Sequence, residues 1–293
     1  MIKNISIIIP CYNESPEVLS KTISDLKKSI NDKVEDFEII IVNDGSTEFT
    51  YTGNFGDKTH FISHKINRGY GASLKTGIKK SKFNWIGITD ADGTYPNDRF
   101  HELFSYTDKN EMVIGARSWD DISMIRRFPK KVLTSFSGFL ADQEIKDLNS
   151  GMRIFKKKLA LSYWNLFPDG FSFTSTITMA CLTNDNDIDY HGIDYFKRVG
   201  KSSINPIKDT VRFFNLVLRL AIYFNPKKFF IPLSFIVFFI AIARGARDYT
   251  VDGSLGGITL ILAFICFQIF FFGLLAEIIN KTRKFIVNSN HRL

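Results

Sequence analysis

Two runs in the last quarter of the chain, Phe229 to Ala243 and Ile258 to Ala276, carry no charge, and Gln268 is their one strongly polar member. Helices this apolar have two destinations: burial on every side inside a protein, or a bilayer. Two such runs at one end of a chain favour the bilayer over a buried hairpin of core helices. The first run would measure only about 22 Å as a helix. It is therefore extended through Gly245, with Arg244 and Arg247 reaching toward the interface. Lys227 and Lys228 precede the first span, and Lys281, Arg283 and Lys284 follow the second. The loop between them balances Arg244 and Arg247 against Asp248 and Asp252. Basic flanks stay on the cytoplasmic side, so the expectation is a multi-pass protein of the cell (inner) membrane with both ends cytoplasmic.

Upstream, Ile207 to Phe224 spaces Lys208, Arg212, Asn215 and Arg219 by four, three and four residues, a polar stripe on a mostly apolar helix. Such a helix lies in the membrane interface or packs on a soluble domain, because the pattern is the same for either cover. The organisation expected is a cytoplasmic domain over 1–206, an amphipathic helix over 207–228, and a transmembrane hairpin with a short basic tail over 229–293.

The first 120 residues alternate strand-like and helical stretches: Ile5 to Ile9, a helix after Ser15 and Pro16, Phe37 to Val42, a helix near Tyr70 to Ser81, Trp85 to Thr89, and Met112 to Gly115. The opening run is too short and too weakly basic in front for a signal peptide, and reads as the first strand. Strands as uniformly apolar as "SIIIP" and "EIIIVN" are covered on both faces, which predicts an α/β fold around an open, mostly parallel sheet with its site at the carboxyl ends of the strands. At 45% hydrophobic residues the chain can build such a core. Cys11, Cys181 and Cys266 form no paired motif, which speaks against a disulfide framework or a zinc site and for a reducing compartment. The formal net charge of +8 concentrates beside the apolar spans and accompanies no base-reading motif, so nucleic acid is not an expected partner.

Polar residues gather at the predicted strand ends: "PCYNE" after the first, "NDGS" after the second, "DADG" after a later one. One Asp-Gly after a strand is an ordinary turn, but three acidic ends deliver Asn13, Glu14, Asp44, Asp90 and Asp92 to one rim. Asp90 and Asp92 repel each other unless a cation lies between them. Two carboxylates at i and i+2 suit Mg²⁺ or Mn²⁺ with positions left open for phosphate oxygens. Gly93 then lets the chain turn near the ligand.

In that order, "IIIPCYNE", "IIIVNDGS", "NRGYGASLKTGI" and "DADGTYP" resemble the family 2 glycosyltransferases, which have the nucleotide-diphospho-sugar transferase (GT-A) fold. "DLNSGMRIF", "KRVGKSS" and the C-terminal apolar pair resemble the polyprenyl-phosphate glycosyltransferases within it, the group that includes dolichol-phosphate mannose synthase. The QxxRW signature of processive members is missing, which implies one sugar per cycle. The resemblance implies a nucleotide-sugar pocket of Pro10, Tyr12, Asn13, Glu14, Asp44, Arg68, Gly69, Asp90, Ala91 and Asp92. Asp44 is assigned to base or ribose, Arg68 to the diphosphate, Asp90 and Asp92 to metal, and Gly69 and Gly71 to close backbone approach to the nucleotide. Mannose synthases of the group often carry Gln where this chain has Thr94, a weaker metal ligand.

The implied partners are a UDP- or GDP-linked sugar, a polyprenyl (undecaprenyl or dolichyl) phosphate and the membrane; self-association is left open. For an anionic lipid phosphate the available cations are Arg117, Arg126, Arg127, Arg153, Arg198 and Lys201, arginine being suited by its two-pronged donor. Arg126 and Arg127 have a second reading as headgroup anchors. Asp92, Asp147 and Arg117 are the candidate catalytic residues. Asp147 could be a base, could orient Arg153 or could cap its turn, and a lipid phosphate already ionised near neutrality needs no strong base. His60, His64, His101, His191 and His291 are scattered and suggest no nucleophile triad. The expected enzyme is an inverting, non-processive glycosyltransferase. The alternatives are a family 2 enzyme acting on a glycan or diacylglycerol, and a non-catalytic binder of sugar nucleotides.

Overall fold

The computed structural model describes residues 2–49, 51, 55–118, 124–170, 172–196 and 206–290. They form two compact units, one comprising residues 1–138 and 143–205, the other 139–142 and 206–293.

The first unit is built on a seven-stranded sheet of β1 (Asn4–Cys11), β2 (Asp36–Asn43), β3 (Thr59–Ser63), β4 (Trp85–Ile88), β5 (Met112–Arg117), β6 (Arg153–Lys156) and β7 (Ile188–Ile193), in the order β3-β2-β1-β4-β6-β5-β7. Every pairing is parallel except those of β6, which runs antiparallel to both β4 and β5. The continuous apolar runs occupy the middle of the sheet, with Ile5, Ile7, Ile8, Ile9, Ile39, Ile40 and Ile41 all buried. Helices α1 (Pro16–Ile30), α2 (Tyr70–Lys80), α3 (Met124–Ala141), α4 (Lys157–Ser162) and α5 (Phe173–Leu182) belong to the same run of chain. Ser15 caps α1 by accepting from the Val18 amide, and Pro16 occupies its first turn, where a missing N–H costs nothing.

The expected strands appear within a residue or two of their predicted ends. Three others carry weaker signals. β3 is an edge strand that is mostly exposed, β7 is only partly buried, and β6 is four residues long. β6 also overturns one expectation, because its first residue is Arg153. That side chain is fully buried. Its guanidinium donates to the carbonyls of Ser150, Thr174 and Leu148 and to the Thr178 hydroxyl. Arg153 is therefore an internal brace, out of reach of an acceptor phosphate.

In the second unit, α6 (Pro206–Phe224), α7 (Pro226–Asp252) and α8 (Gly257–Asn290) follow one another. Helices α7 and α8 are long and apolar enough to cross a membrane, and they leave large side chains such as Phe239, Ile261, Phe264 and Phe272 exposed. Leu216, Leu220, Ala221 and Phe224 of α6 are buried, and the Phe224 carbonyl accepts from Asn280 on α8. At least part of its apolar face is thus covered by protein.

Arg153 supplies a direct test of this packing. In Arg153→Lys a compact ammonium replaces a planar fork and cannot reach the same set of carbonyls. A loss of about 3 kcal/mol follows, and with it a melting temperature about 6–12 °C lower in detergent. An unchanged melting temperature would show that the fork is dispensable.

Candidate functional site

The reversal of β6 decides what meets at the carboxyl edge of the sheet. Residues that follow β1, β2, β4, β5 and β7 lie at that edge because those strands are parallel, and so do residues 147–151, which precede the antiparallel β6. The "DADG" segment, Arg117 and the "DLNSG" segment are thereby brought together.

On the β1–β2 side the expected pocket residues mostly hold one another. Asn13 has a left-handed backbone (φ 53°), and its side-chain carbonyl accepts from the amides of Thr47 and Glu48 at 2.8 and 3.1 Å. The Tyr51 hydroxyl bridges the same turn by donating to the Glu14 carbonyl. Pro10 is buried in β1 opposite Val42, whereas Tyr12 is 44% exposed at the rim. Asp44 is buried: its carboxylate meets His64 Nδ1 at 2.7 Å and accepts from the amides of Arg68 and Gly69 at 3.0 and 2.7 Å. His64 Nε2 lies 2.9 Å from Thr76 Oγ1. A carboxylate–imidazole–hydroxyl series therefore exists that the scattered histidines concealed, and it ties the "NRGYG" turn to β2 and α2.

The glycines of that turn serve another neighbour than the one expected. A Cβ on Gly69 would come within 2.6 Å of the Asp169 carbonyl, and one on Gly71 would strike the Pro168 carbonyl. The amides of Gly71 and Ala72 donate to Gly170 and Asp169, so the first turn of α2 is satisfied by protein. Close approach here is to the 168–170 loop. The Arg68 side chain is exposed.

After β4, Ala91 is buried while Asp90 and Asp92 are partly exposed. Asp92 accepts from the amide and hydroxyl of Thr94 at 3.2 and 2.7 Å, and Thr94 is itself buried. Thr94 orients a carboxylate. Asp90 accepts from the Tyr70 hydroxyl at 3.0 Å. Burial, reinforced by the Asp90 charge, holds the Tyr70 pKa well above its ordinary value, so it stays a donor. Gly151 packs against the same carboxylate, where an added Cβ would sit 2.5 Å from Asp90 Oδ2, and its amide donates to the Tyr95 hydroxyl at 2.7 Å. Among the described residues no set of three His, Cys, Asp or Glu side chains could enclose a cation. A pair of oriented carboxylates fits a hard divalent ion that shares its remaining positions between phosphate oxygens and water.

Beyond β5, Arg117 makes a two-pronged contact with Asp147, Nε to Oδ2 at 2.7 Å and Nη2 to Oδ1 at 3.0 Å. Lys130 on α3 approaches the same carboxylate at 3.1 Å. Burial alone would raise the pKa of Asp147, but bonds and charges from Arg117 and Lys130 outweigh it and hold the group at about 2. Asp147 also accepts from the Asn149 amide. It caps its turn and orients Arg117, not Arg153, and a carboxylate so held is a poor base. The Arg117 guanidinium stacks 5.1 Å over the Tyr195 ring. Lys130 was missed by sequence reading, although it stands one helical turn beyond Arg126 and Arg127. The Arg126 side chain, and Arg198 and Lys201 entirely, lie outside the described residues.

The fold and its rim define a GT-A type of sugar-nucleotide transferase domain. The chain belongs to glycosyl transferase family 2, whose family model matches residues 6–164, more than half of its length. Residues 225–282 match a second model, the GtrB C-terminal hairpin. Among its relatives are human dolichyl-phosphate beta-glucosyltransferase, 27% identical over 54% of this chain and 56% of that one, and undecaprenyl-phosphate 4-deoxy-4-formamido-L-arabinose transferase of Pseudomonas savastanoi pv. phaseolicola, 32% identical over 45% and 41%. The chain spans between about a quarter and about half the length of the curated relatives it matches. The crystal structure of glucosyl-3-phosphoglycerate synthase from Mycobacterium tuberculosis in complex with Mn²⁺, UDP and phosphoglyceric acid has the same fold, with a TM-score of 0.54, 14% identity, and coverage of 75% of this chain and 78% of that one.

Asp147→Asn should leave two partly buried cations without their counter-charge and cost about 3 kcal/mol. The pH dependence has a defined sign. The carboxyl titrates at about 2 in the fold against an ordinary 3.8, so its stabilisation is present above about pH 4 and lost as pH falls toward 2. Thermal melts between pH 2 and 5 should show this loss in the wild type and a flatter curve in the variant.

Proposed function

We propose that the protein transfers one sugar from a UDP- or GDP-linked donor to a polyprenyl phosphate at the cytoplasmic face of the cell membrane, with inversion at the anomeric carbon. The observation that carries this reading is the pairing, at one sheet edge, of two oriented carboxylates with a partly buried cation pair on the buried Asp147. One half suits a metal-bound diphosphate and the other a phosphate monoester. Family membership, the hairpin match and the names of the relatives support the lipid acceptor, and the Mn²⁺–UDP complex of the structural neighbour supports the metal.

In this mechanism Asp90 and Asp92 would hold Mg²⁺ or Mn²⁺, which would supply positive charge against that of the departing nucleoside diphosphate. Tyr12 and Arg68 are exposed at the donor rim, and Asp44, through Gly69 and Arg68, fixes the turn that presents them. Arg117 and Lys130 grip the acceptor phosphate, Asp147 keeps Arg117 aimed, and Arg127, Arg198 and Lys201 are further cations for the same anion or for lipid headgroups. The acceptor has a second pKa of about 6, so its oxygen attacks as an anion and no protein base is assigned. Helices α7 and α8 provide the membrane anchor.

Membranes incubated with labelled sugar nucleotides should yield an acid-labile glycosyl lipid. An acid-stable product would move the acceptor to a glycan or diacylglycerol, and absence of transfer would leave a binding protein. Asp92→Asn should abolish most turnover while leaving the melting temperature nearly unchanged; near wild-type activity would remove the metal role from "DADG". Burial lowers the Lys130 pKa to about 8. Its charge is therefore present below that pH, and kcat/KM for the prenyl phosphate should fall as pH rises through about 8. Lys130→Arg, which keeps its charge, should flatten that limb, and an unaltered limb would mean that another group titrates.

A further inference from the structure

Asp90 is held from two directions by groups that take no part in the mechanism above. Tyr70 opens α2, and its hydroxyl donates to one oxygen of Asp90. From the other side Gly151 leaves no room for a side chain, since a Cβ there would fall 2.5 to 2.8 Å from all three carboxylate atoms. Gly151 is itself fixed, its amide donating to Tyr95 and its neighbour Ser150 giving up its carbonyl to the buried Arg153. A carboxylate in this setting cannot turn without losing the tyrosine bond or meeting the glycine backbone.

We propose that Tyr70 and Gly151 form a clamp that presets the Asp90 carboxylate for the divalent cation, so that cation affinity depends on a tyrosine hydroxyl that never touches the ion. Both are positioning residues. The inference rests on the reading of Asp90 and Asp92 as the cation's ligands and adds what supports them. Two effects of the hydroxyl oppose each other: its bond withdraws electron density from the ligand, which weakens coordination, and it fixes the ligand's direction, which strengthens it. Orientation dominates here because Asp90 is one of the two ligands assigned among the described residues, and a cation held by few anchors loses affinity steeply when one is mobile. Groups that orient metal ligands typically matter by about 10- to 100-fold in affinity.

The test uses the full chain in detergent, with UDP or GDP chosen by which stabilises the wild type, and reads free Mn²⁺ by electron paramagnetic resonance during titration. Tyr70→Phe should weaken Mn²⁺ binding about 10-fold or more. Nucleotide affinity in EDTA and the melting temperature should stay near wild type, a split that a purely structural tyrosine would not produce. Gly151→Ala, which crowds the same carboxylate while keeping the tyrosine, should give the same loss, and it decides the matter if Tyr70→Phe fails to fold. Mn²⁺ binding that is lost in Asp90→Asn but unchanged in Tyr70→Phe and Gly151→Ala would overturn the clamp alone. A wild type that binds nucleotide but no Mn²⁺ would overturn the clamp together with the metal reading.

Discussion

One reversed strand governs the rim. If β6 ran parallel to its neighbours, residues 147–151 would emerge at the amino edge of the sheet, away from "DADG" and Arg117. Because it is antiparallel to both β4 and β5, the turn that leads into it faces the ends of those strands. The buried Arg153 holds that turn through the carbonyls of Leu148 and Ser150. A fully buried guanidinium is expensive unless its N–H groups are satisfied, so the carbonyls that accept from it are committed to their positions. Gly151 at Asp90 and Asp147 at Arg117 both follow from that commitment.

Electrostatics at the edge depend on each carboxylate having its own donors. Asp44 has His64 and two backbone amides, Asp90 has Tyr70, Asp92 has Thr94, and Asp147 has Arg117 and Lys130. The division is chemical as well as spatial. Tyr70 and Thr94 are neutral hydroxyl donors, which orient the two partly exposed carboxylates without themselves neutralising them. The fully buried Asp147 receives two cations and is left with the excess positive charge that an incoming phosphate would meet. Exchanging these partners would leave the buried Asp147 without its two counter-charges.

Much of this was legible in the sequence. Long apolar strands followed by acids are a strong signal, because a strand covered on both faces has no other use for charge than at its ends. The hidden part consists of contacts between distant segments. Nothing near "SGMRIF" in the chain says that its arginine points inward, since an arginine opening a short strand has the same letters whether it meets carbonyls or solvent. The glycines of "NRGYG" announced a close approach but not to what, and the 168–170 loop lies about a hundred residues away. His64 and Lys130 became meaningful only when the end of β2 and the turn into β6 placed Asp44 and Asp147 beside them.

The hairpin obeys the same logic with fewer means. In the proposed bilayer setting, lipid is as apolar as the helix surfaces, so burial of hydrophobic area cannot choose how α7 meets α8. Close approach and polar pins must do so. Gly245 lies against Thr259, and at Gly273 an added Cβ would fall 2.7 Å from Phe230 Cβ, so the helices approach closely at both places. At the connecting turn, Asp248 pairs with Arg244 and accepts from the Thr259 hydroxyl and the Gly256 amide; toward the other end, Lys227 on α7 pairs with Glu277 on α8, while Asn280 and Arg283 tie α8 to the Phe224 and Tyr223 carbonyls of α6. Between these ends Cys266 Sγ donates to the Ser234 carbonyl, and much of the phenylalanine- and isoleucine-rich stretch faces outward. A hairpin fixed in this way keeps one register whatever lipid surrounds it, because the interactions that select the register are internal to the chain.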